Sequence, residues 1–135
     1  MARFLGVGWQ FPVSIEDQNA IKKRSAKAEY EESIKQAIWI ILFTAKGERV
    51  MRPEFGCGIH ELVFAPNDAA TRGMAEHHVD EALRLWEPRI EVLEVQATAA
   101  GAQDEELRIS IDYRVRTTDS RFNLVYPFYL ERGRP

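Results

Sequence analysis

The sequence has one cysteine, no long apolar run and no excess of positive charge, and each shortage excludes a class of protein. Cys57 has no second cysteine with which to form an internal disulfide, which indicates a reducing compartment. The longest apolar run, residues 37–43, is far shorter than the ~20 residues that span a bilayer. A formal net charge of -3 lacks the basic excess typical of non-specific DNA binding. We therefore expect a protein made in the cytoplasm that binds neither membrane nor nucleic acid.

Residue types that serve metal binding and catalysis are present, but their spacing is wrong. His77 and His78 are adjacent on a predicted helix and point about 100° apart, so they cannot hold one ion together. His60 begins a zinc-protease pattern, but Phe64 stands where the second histidine is required. Cys57 lies between glycines without the preceding strand of a nucleophile elbow, and no phosphate-binding loop is present. The sequence predicts no metal, no cofactor and no small-molecule substrate.

Paired carboxylates leave one catalytic alternative. A glycosidase needs two carboxyl groups roughly 5 to 9 Å apart, and Glu48, Glu54, Glu61 and Glu87 all lie in irregular or corner segments. Three of them have an arginine within two residues, which favours the ionised form, whereas a general acid needs an apolar pocket that raises its pKa. We expect a non-enzymatic protein, with a peptidoglycan muramidase as the alternative.

Helical spacing of apolar residues indicates two helices before Pro88. It predicts a first helix from about Ala28 to Ala45, apolar enough at Trp39, Ile40 and Phe43 to be covered on more than one side. The preceding residues 14–27, with the basic cluster at 22–24, are predicted to be a solvated loop. Residues 47–68 are predicted to be a packed irregular connection with a short helical turn. A second helix, capped by Asn67 or Asp68, follows and ends before Pro88.

After Pro88 the apolar residues alternate, which is typical of strands. Residues 90–99 change phase after Val92, which predicts a bulge, and two further strands follow as a hairpin with its turn at 117–120. Residues 1–13 also alternate and predict a short strand or extended arm. Pro127 lacks a main-chain donor and predicts that the last strand is an edge. We therefore predict a single α+β domain over residues 1–135: two helices on one face of a mainly antiparallel sheet with a C-terminal β-meander.

Several segments in this order resemble the small baseplate wedge proteins of contractile phage tails, the gene product W and gene product 25 family, with relatives in type VI secretion and other contractile injection systems. The segments are Gly8-Trp9 with Phe11-Pro12, residues 41–44, residues 47–56 (GERVMRPEFG), Trp86-Glu87-Pro88-Arg89 and residues 122–130 (FNLVYPFYL). The resemblance implies a structural baseplate subunit with a fold like the terminal domain of the sheath protein. It also implies assembly in the bacterial cytoplasm, and some family members carry a tail lysozyme label.

The resemblance also assigns partner-binding residues. It implies that Glu87, Pro88 and Arg89 contact the helical core of the wedge, and that the sheet accepts strands from the sheath protein and so starts sheath polymerisation. An adaptor that joins other components without touching sheath is a third possibility. The remaining predicted partner-binding residues lie on the C-terminal hairpin. Arg114, Arg116 and Arg121 could orient docking, or they could simply form a solvated face of the sheet. Tyr126, Pro127 and Tyr129 belong to the edge strand.

Overall fold

The computed structural model describes residues 15–131, and the side chains among them from residue 25 onward. The chain divides into two units, residues 1–33 and 34–135. The predicted N-terminal strand or arm, residues 1–13, lies outside the described residues. In chain order the elements are α1 (Ile15–Phe43), a 3₁₀ helix (Gly58–Leu62), α2 (Ala69–Trp86), β1 (Ile90–Ala100), β2 (Glu106–Val115) and β3 (Ser120–Tyr129).

Helix α1 begins at Ile15 and not near Ala28, so the prediction of a loop is wrong for residues 15–27, and residue 14 lies outside the described residues. Residues 15–27 contain no glycine or proline and include three lysines, two alanines, one arginine and one glutamate, all of which have high intrinsic helix propensity. Such a stretch forms a helix without an apolar stripe, so the periodicity of apolar residues does not reveal it.

Within the second unit, the C-terminal part of α1 buries one face. Ile34, Ile38 and Leu42 are fully buried, at the i, i+4, i+8 spacing that the sequence predicted. The prediction that α1 is covered on more than one side is wrong, because Ile40 and Phe43 are about half exposed. Helix α1 therefore exposes apolar side chains that the sequence predicted to be buried.

Helix α2 begins and ends as predicted. The side chain of Asp68 caps its N-terminus, with Oδ1 accepting from the Thr71 main-chain N–H at 2.9 Å, so Asp68 is the cap of the two candidates. Asn67 instead donates to the main-chain oxygens of Asp104 and Glu106, which ties the start of α2 to the β1–β2 turn. The buried face of α2 packs along β1.

The sheet is a three-stranded antiparallel meander in the order β1-β2-β3. The pairing of β1 with β2 shifts register between Val92 and Glu94, so the predicted bulge is confirmed, and Leu93 is turned to solvent, 42% exposed. The buried face carries Ile109 and Ile111 of β2 and lies against the helices. The predicted fold class, two helices on an antiparallel sheet with a C-terminal meander, is confirmed.

Residues 44–57 form an ordered loop between α1 and the 3₁₀ helix. Gly56 has φ +127°, and a Cβ there would lie 2.5 Å from the Thr44 oxygen, so only glycine fits beside the neighbouring segment. Gly47 has φ +94°, a left-handed conformation that favours glycine. The prediction that this connection is packed throughout is wrong at its tip, where Val50 and Met51 are almost fully exposed.

No helix within residues 15–131 is long and apolar enough to cross a membrane.

Candidate docking surfaces

The residues Glu87, Pro88 and Arg89, called the corner below, join the end of α2 to the start of β1. The Glu87 side chain is buried, and its two carboxylate oxygens accept from Nε and Nη2 of Arg89, both at 2.7 Å. The Arg89 side chain is 38% exposed. A bidentate pair with a buried carboxylate is more rigid than a solvated ion pair. Glu87 therefore holds Arg89 in place, and Arg89 and Pro88 form the outer surface of the corner.

Arg116 fastens the corner to the adjacent end of β2. Its Nε donates to the Pro88 oxygen at 3.1 Å, and its main-chain N–H donates to the Arg89 oxygen at 3.0 Å. Because Arg116 directly follows β2, these two bonds extend the β1–β2 ladder into the corner. Arg116 is thus a structural contact of the corner as well as an exposed cation.

A shallow groove of about 450 Å³ lies between the corner and α1. Its floor is apolar and its rim is charged; the lining residues are Ala37, Ile40, Ile41, Arg49, Phe55, Trp86, Glu87, Pro88 and Arg89. The guanidinium of Arg49 lies 4.4 Å from the centre of the Phe55 ring, and that of Arg52 lies 5.0 Å from the Trp86 ring. Such cation–π contacts contribute about 0.5–1 kcal/mol at exposed sites and fix the positive charges beside the groove.

Arg114 lies on the solvent face of the sheet and is already paired within the chain. Its Nη2 is 2.7 Å from Oε1 of Glu91, and its Nη1 is 2.9 Å from Oδ1 of Asp119. The hydrogen bonds from Arg114 lower the pKa of the Glu91 carboxyl, and those to Glu91 and Asp119 raise the pKa of Arg114. Arg121, opposite Arg114 in the β2–β3 register, is exposed. Of these two, Arg121 offers a partner the more accessible guanidinium.

The β3 edge is the outer side of β3, and hydrogen bonds at its two ends fix which main-chain groups face outward. Asp119 N–H donates to Val115 O, and Leu130 N–H donates to Glu105 O, so odd-numbered residues of β2 and even-numbered residues of β3 face each other. In antiparallel strands the N–H and C=O of one residue point to the same side. The main-chain groups of Arg121, Asn123 and Val125 therefore point away from β2.

The described part of the chain closes the β3 edge only beyond its end. Glu131 N–H donates to Val63 O, which follows the same alternation and stops the edge there. Across residues 15–131, no main-chain hydrogen bond to the outward groups of β3 occurs before that point. Pro127 falls on the outward side, where its missing N–H leaves the β2–β3 ladder intact, and the predicted edge position is thereby confirmed. A strand margin of several residues is open among the described residues.

Tyr126 is not available on this edge, which corrects its prediction as a partner-binding residue. Its side chain is 1% exposed, its hydroxyl donates to Leu42 O at 3.2 Å, and its ring meets those of Trp39 and Phe43 edge-on. Burial raises the pKa of Tyr126. The neighbouring Tyr129 is 62% exposed, because successive side chains of a strand alternate between its two faces.

The β1 edge, the outer side of β1, differs from the β3 edge. Ala97 N–H points outward and donates to Oε2 of Glu76 on α2 at 2.8 Å. The sequence did not predict this contact. Nothing in the pattern links two residues that are 21 positions apart, so only the packing of α2 along β1 reveals it.

The side chains considered for chemistry are placed as follows. Glu48 and Glu54 are exposed; Glu48 accepts from Ala45 N–H at 2.7 Å, and Glu54 pairs with Arg52. Cys57 is buried, and burial raises the pKa of its thiol to about 11. Among residues 15–131, no three histidine, cysteine, aspartate or glutamate side chains could hold a metal ion.

Comparison with known proteins gives a consistent family. A family model described as baseplate wedge protein gp25 matches residues 28–120. The baseplate wedge protein gp25 of Enterobacteria phage T4 is 38% identical over 63 residues, which are 47% of this chain and 48% of that protein. The chain thus matches about half the length of this curated relative.

Solved structures match over more of the chain. A candidate tail lysozyme from Geobacter sulfurreducens has a TM-score of 0.70 and 59% identity, over 76% of this chain and 92% of that one. A chain of the type VI secretion system baseplate complex has a TM-score of 0.62 and 16% identity over 79% of this chain and 98% of that one, which shows a shared fold. The resemblance found in the sequence is confirmed, and the family model spans more than half of the chain. This protein therefore belongs to the baseplate wedge protein gp25 family.

Proposed function

We propose that this protein is a structural subunit of the baseplate wedge of a contractile tail or injection system, and that it starts sheath polymerisation by accepting a strand at the β3 edge. The observation that carries the proposal is the open margin of β3, where outward main-chain groups have no partner among residues 15–131. Strand addition satisfies such groups and gives an extended partner its affinity. The protein is made in the bacterial cytoplasm and joins the baseplate there.

The margin also limits how a strand can bind. Arg121, Asn123 and Val125 each present an outward donor and an outward acceptor, whereas Pro127 presents only its carbonyl oxygen. An incoming strand therefore gains pairs of hydrogen bonds as far as Val125 and only one bond at Pro127. Tyr129 follows the same alternation, and the contact between Glu131 and Val63 blocks pairing beyond it.

Amide hydrogen exchange of the full chain, with and without the sheath subunit, tests this proposal. We expect slower exchange at the outward amides of Arg121, Asn123 and Val125 when sheath protein is added. The outward amide of Ala99 on β1 serves as the matched control and should not change. Unchanged exchange at all three β3 amides in a complex that does form would refute strand addition at this edge.

The corner is proposed to dock on the helical core of the wedge. The bidentate bond from Glu87 fixes the Arg89 guanidinium, and the adjacent groove has an apolar floor beneath a rim that contains Arg49. A helix with an apolar face and acidic flanks would bury the floor and meet both arginines. Preorganisation by Glu87 lowers the entropy that Arg89 loses on binding.

A double variant, Glu87→Ala with Arg89→Ala, tests the docking role of the corner. Removing both charges leaves no unpaired buried carboxylate, so we expect a folded monomer that fails to enter the baseplate. Arg89→Ala alone strands the buried Glu87 and should lower the free energy of unfolding by about 1–3 kcal/mol. The exposed pair Asp80 and Arg84, 2.9 Å apart on α2, gives a control double variant that should assemble normally. Normal assembly of the corner variant would contradict the docking role.

A muramidase activity is the second candidate, because the 59% identical Geobacter sulfurreducens protein is described as a candidate tail lysozyme. The exposure of Glu48 and Glu54 does not support it, since neither carboxyl lies in an apolar pocket. A turbidity assay on purified cell walls separates the two candidates. Lysis by the wild-type protein that is lost in Glu48→Gln and in Glu54→Gln would establish the enzyme and refute the purely structural role.

A further inference from the structure

The β1 edge, like the β3 edge, presents outward main-chain donors and acceptors to which a further strand could pair. Arg116 N–H donates to Arg89 O, so even-numbered residues of β2 turn their main-chain groups toward β1. Their partners after the bulge are Glu94, Gln96, Thr98 and Ala100. The intervening residues Val95, Ala97 and Ala99 therefore point their N–H and C=O groups away from the sheet.

Glu76 occupies the middle of this outward row. Its Oε2 accepts from Ala97 N–H at 2.8 Å, a hydrogen bond strengthened by the charge of the carboxylate. The flanking residues Ala75 and Val79 are fully buried, which holds this turn of α2 against the sheet. The side chain of Glu76 is thus delivered to the strand margin by a packed helix.

The bulge shortens the regular part of the same edge. The register shift between Val92 and Glu94 bends the strand, and a bend of this kind interrupts a straight margin on which a second strand could lie. Only residues 94–100 continue in regular pairing with β2, and Ala97 lies at the centre of that stretch. A single acceptor at Ala97 therefore covers the point that any added strand must use.

We propose that Glu76 closes the β1 edge against strand pairing, above all with β1 of a second copy of this chain, and so restricts strand addition to β3. A strand approaching β1 must displace a charge-assisted bond and bring its carbonyl oxygen, which carries partial negative charge, close to a carboxylate. Both requirements oppose pairing. The restriction to β3 rests on the proposed function, whereas the closure of β1 is a property of the chain alone.

Sedimentation velocity of the purified full chain over a range of concentrations tests the closure. We expect Glu76→Ala to self-associate at least about tenfold more tightly than wild type, and Ala97 amide exchange to rise at low concentration. Glu76→Gln keeps an acceptor oxygen and should restore most of the wild-type behaviour. Glu94→Ala removes a carboxylate from the exposed face of the same strand and should leave self-association unchanged.

A second variant locates the new contact and distinguishes it from association caused by misfolding. Adding Ala99→Pro to Glu76→Ala removes an outward donor and places a ring on the β1 edge, so the double variant should return to the wild-type association state. Continued association of the double variant would overturn the proposal, because the contact would then lie elsewhere. Wild-type association of Glu76→Ala with Ala97 still protected would also overturn it. Sheath protein is absent from these measurements, so their failure is distinguishable from failure of the sheath-nucleating role.

Discussion

The two edges of the sheet face the same physical problem and meet it differently. On β1, a carboxylate from α2 accepts the central outward N–H, and a bulge breaks the regular margin. On β3, the outward groups of Arg121, Asn123 and Val125 have no main-chain partner among the described residues. Because one margin is closed and the other is open among the described residues, a further strand can be added on only one side of the three-stranded sheet. The difference teaches that an exposed edge can be a specific feature of a fold, because the same chain supplies the means to close the other one.

The aromatic support beneath the two edges differs as well. Under β3, Trp39 and Phe43 of α1 stack with ring centres 5.2 Å apart, and both meet Tyr126. Under β1, small and aliphatic residues of α2 such as Ala75 and Val79 fill the interface. Phe43 remains 57% exposed, so apolar surface lies next to the strand that is open. Apolar side chains on an added strand could cover it.

The largest effect is expected from placing a proline on the open edge. Val125→Pro removes an outward N–H without touching the β2–β3 ladder, since the groups of Val125 face away from β2. We expect sheath initiation on baseplates that contain this variant to fall at least tenfold, roughly the loss of one hydrogen bond worth about 1.4 kcal/mol.

Ala99→Pro makes the equivalent change on the closed edge and provides the control. Its outward N–H belongs to the β1 edge, so sheath initiation should match wild type. Equal loss of initiation in the two proline variants would abolish the distinction between the edges. Electron microscopy of sheath assembly, with circular dichroism to confirm folding, makes the measurement.

A moderate effect on stability is expected from Tyr126→Phe, which tests the support of β3. The change removes the hydroxyl that donates to Leu42 O at 3.2 Å and keeps the ring in its aromatic contacts. We expect the free energy of unfolding to fall by about 1 kcal/mol, measured by urea denaturation. Tyr129→Phe, on the exposed face of the same strand, should have no measurable effect. Equal stability of the two variants would show that the buried bond contributes nothing to the β3 side.

The smallest effect is expected on the β1 side at acid pH, through the cap of α2. The hydrogen bond from Thr71 lowers the pKa of the Asp68 carboxyl below its usual value. A lowered folded-state pKa gives stability that is present above the ordinary aspartate pKa and is lost as the pH falls through the folded value. Asp68→Asn keeps an acceptor but removes this titration, so its melting temperature should fall less than that of wild type between neutral pH and pH ~3. Identical pH profiles of the two proteins would show that ionisation of Asp68 does not contribute to the stability of the helix cap.

Much of the fold followed from patterns that are local in the chain. Alternation over residues 107–115 predicted β2, and the phase change after Val92 predicted the bulge that the register confirms. The end of α2 before Pro88 followed from the missing donor and the steric block of the proline ring. Asp68 was one of two predicted caps because only short polar side chains at that position can accept from the first helical turn.

The errors fell where burial depends on distant segments. The start of α1 was misplaced because high helix propensity gives no apolar signal, and Ile40, Phe43, Val50 and Met51 were assigned to the core because they are apolar. Tyr126 was assigned to the edge as a contact residue although its side chain faces inward. The Glu76 contact had no sequence signal at all, since Glu76 and Ala97 meet only through helix-on-sheet packing.

The sequence by itself determined the order of elements, the bulge, the corner and the membership in a family, because each depends on residues that are neighbours in the chain. Tertiary structure alone decided which edge of the sheet is closed and which is open among residues 15–131. The closure of β1 needs a carboxylate on α2 to reach a main-chain N–H that is 21 residues further along the chain. The packing of α2 on the sheet brings these two groups together. No periodicity encodes it.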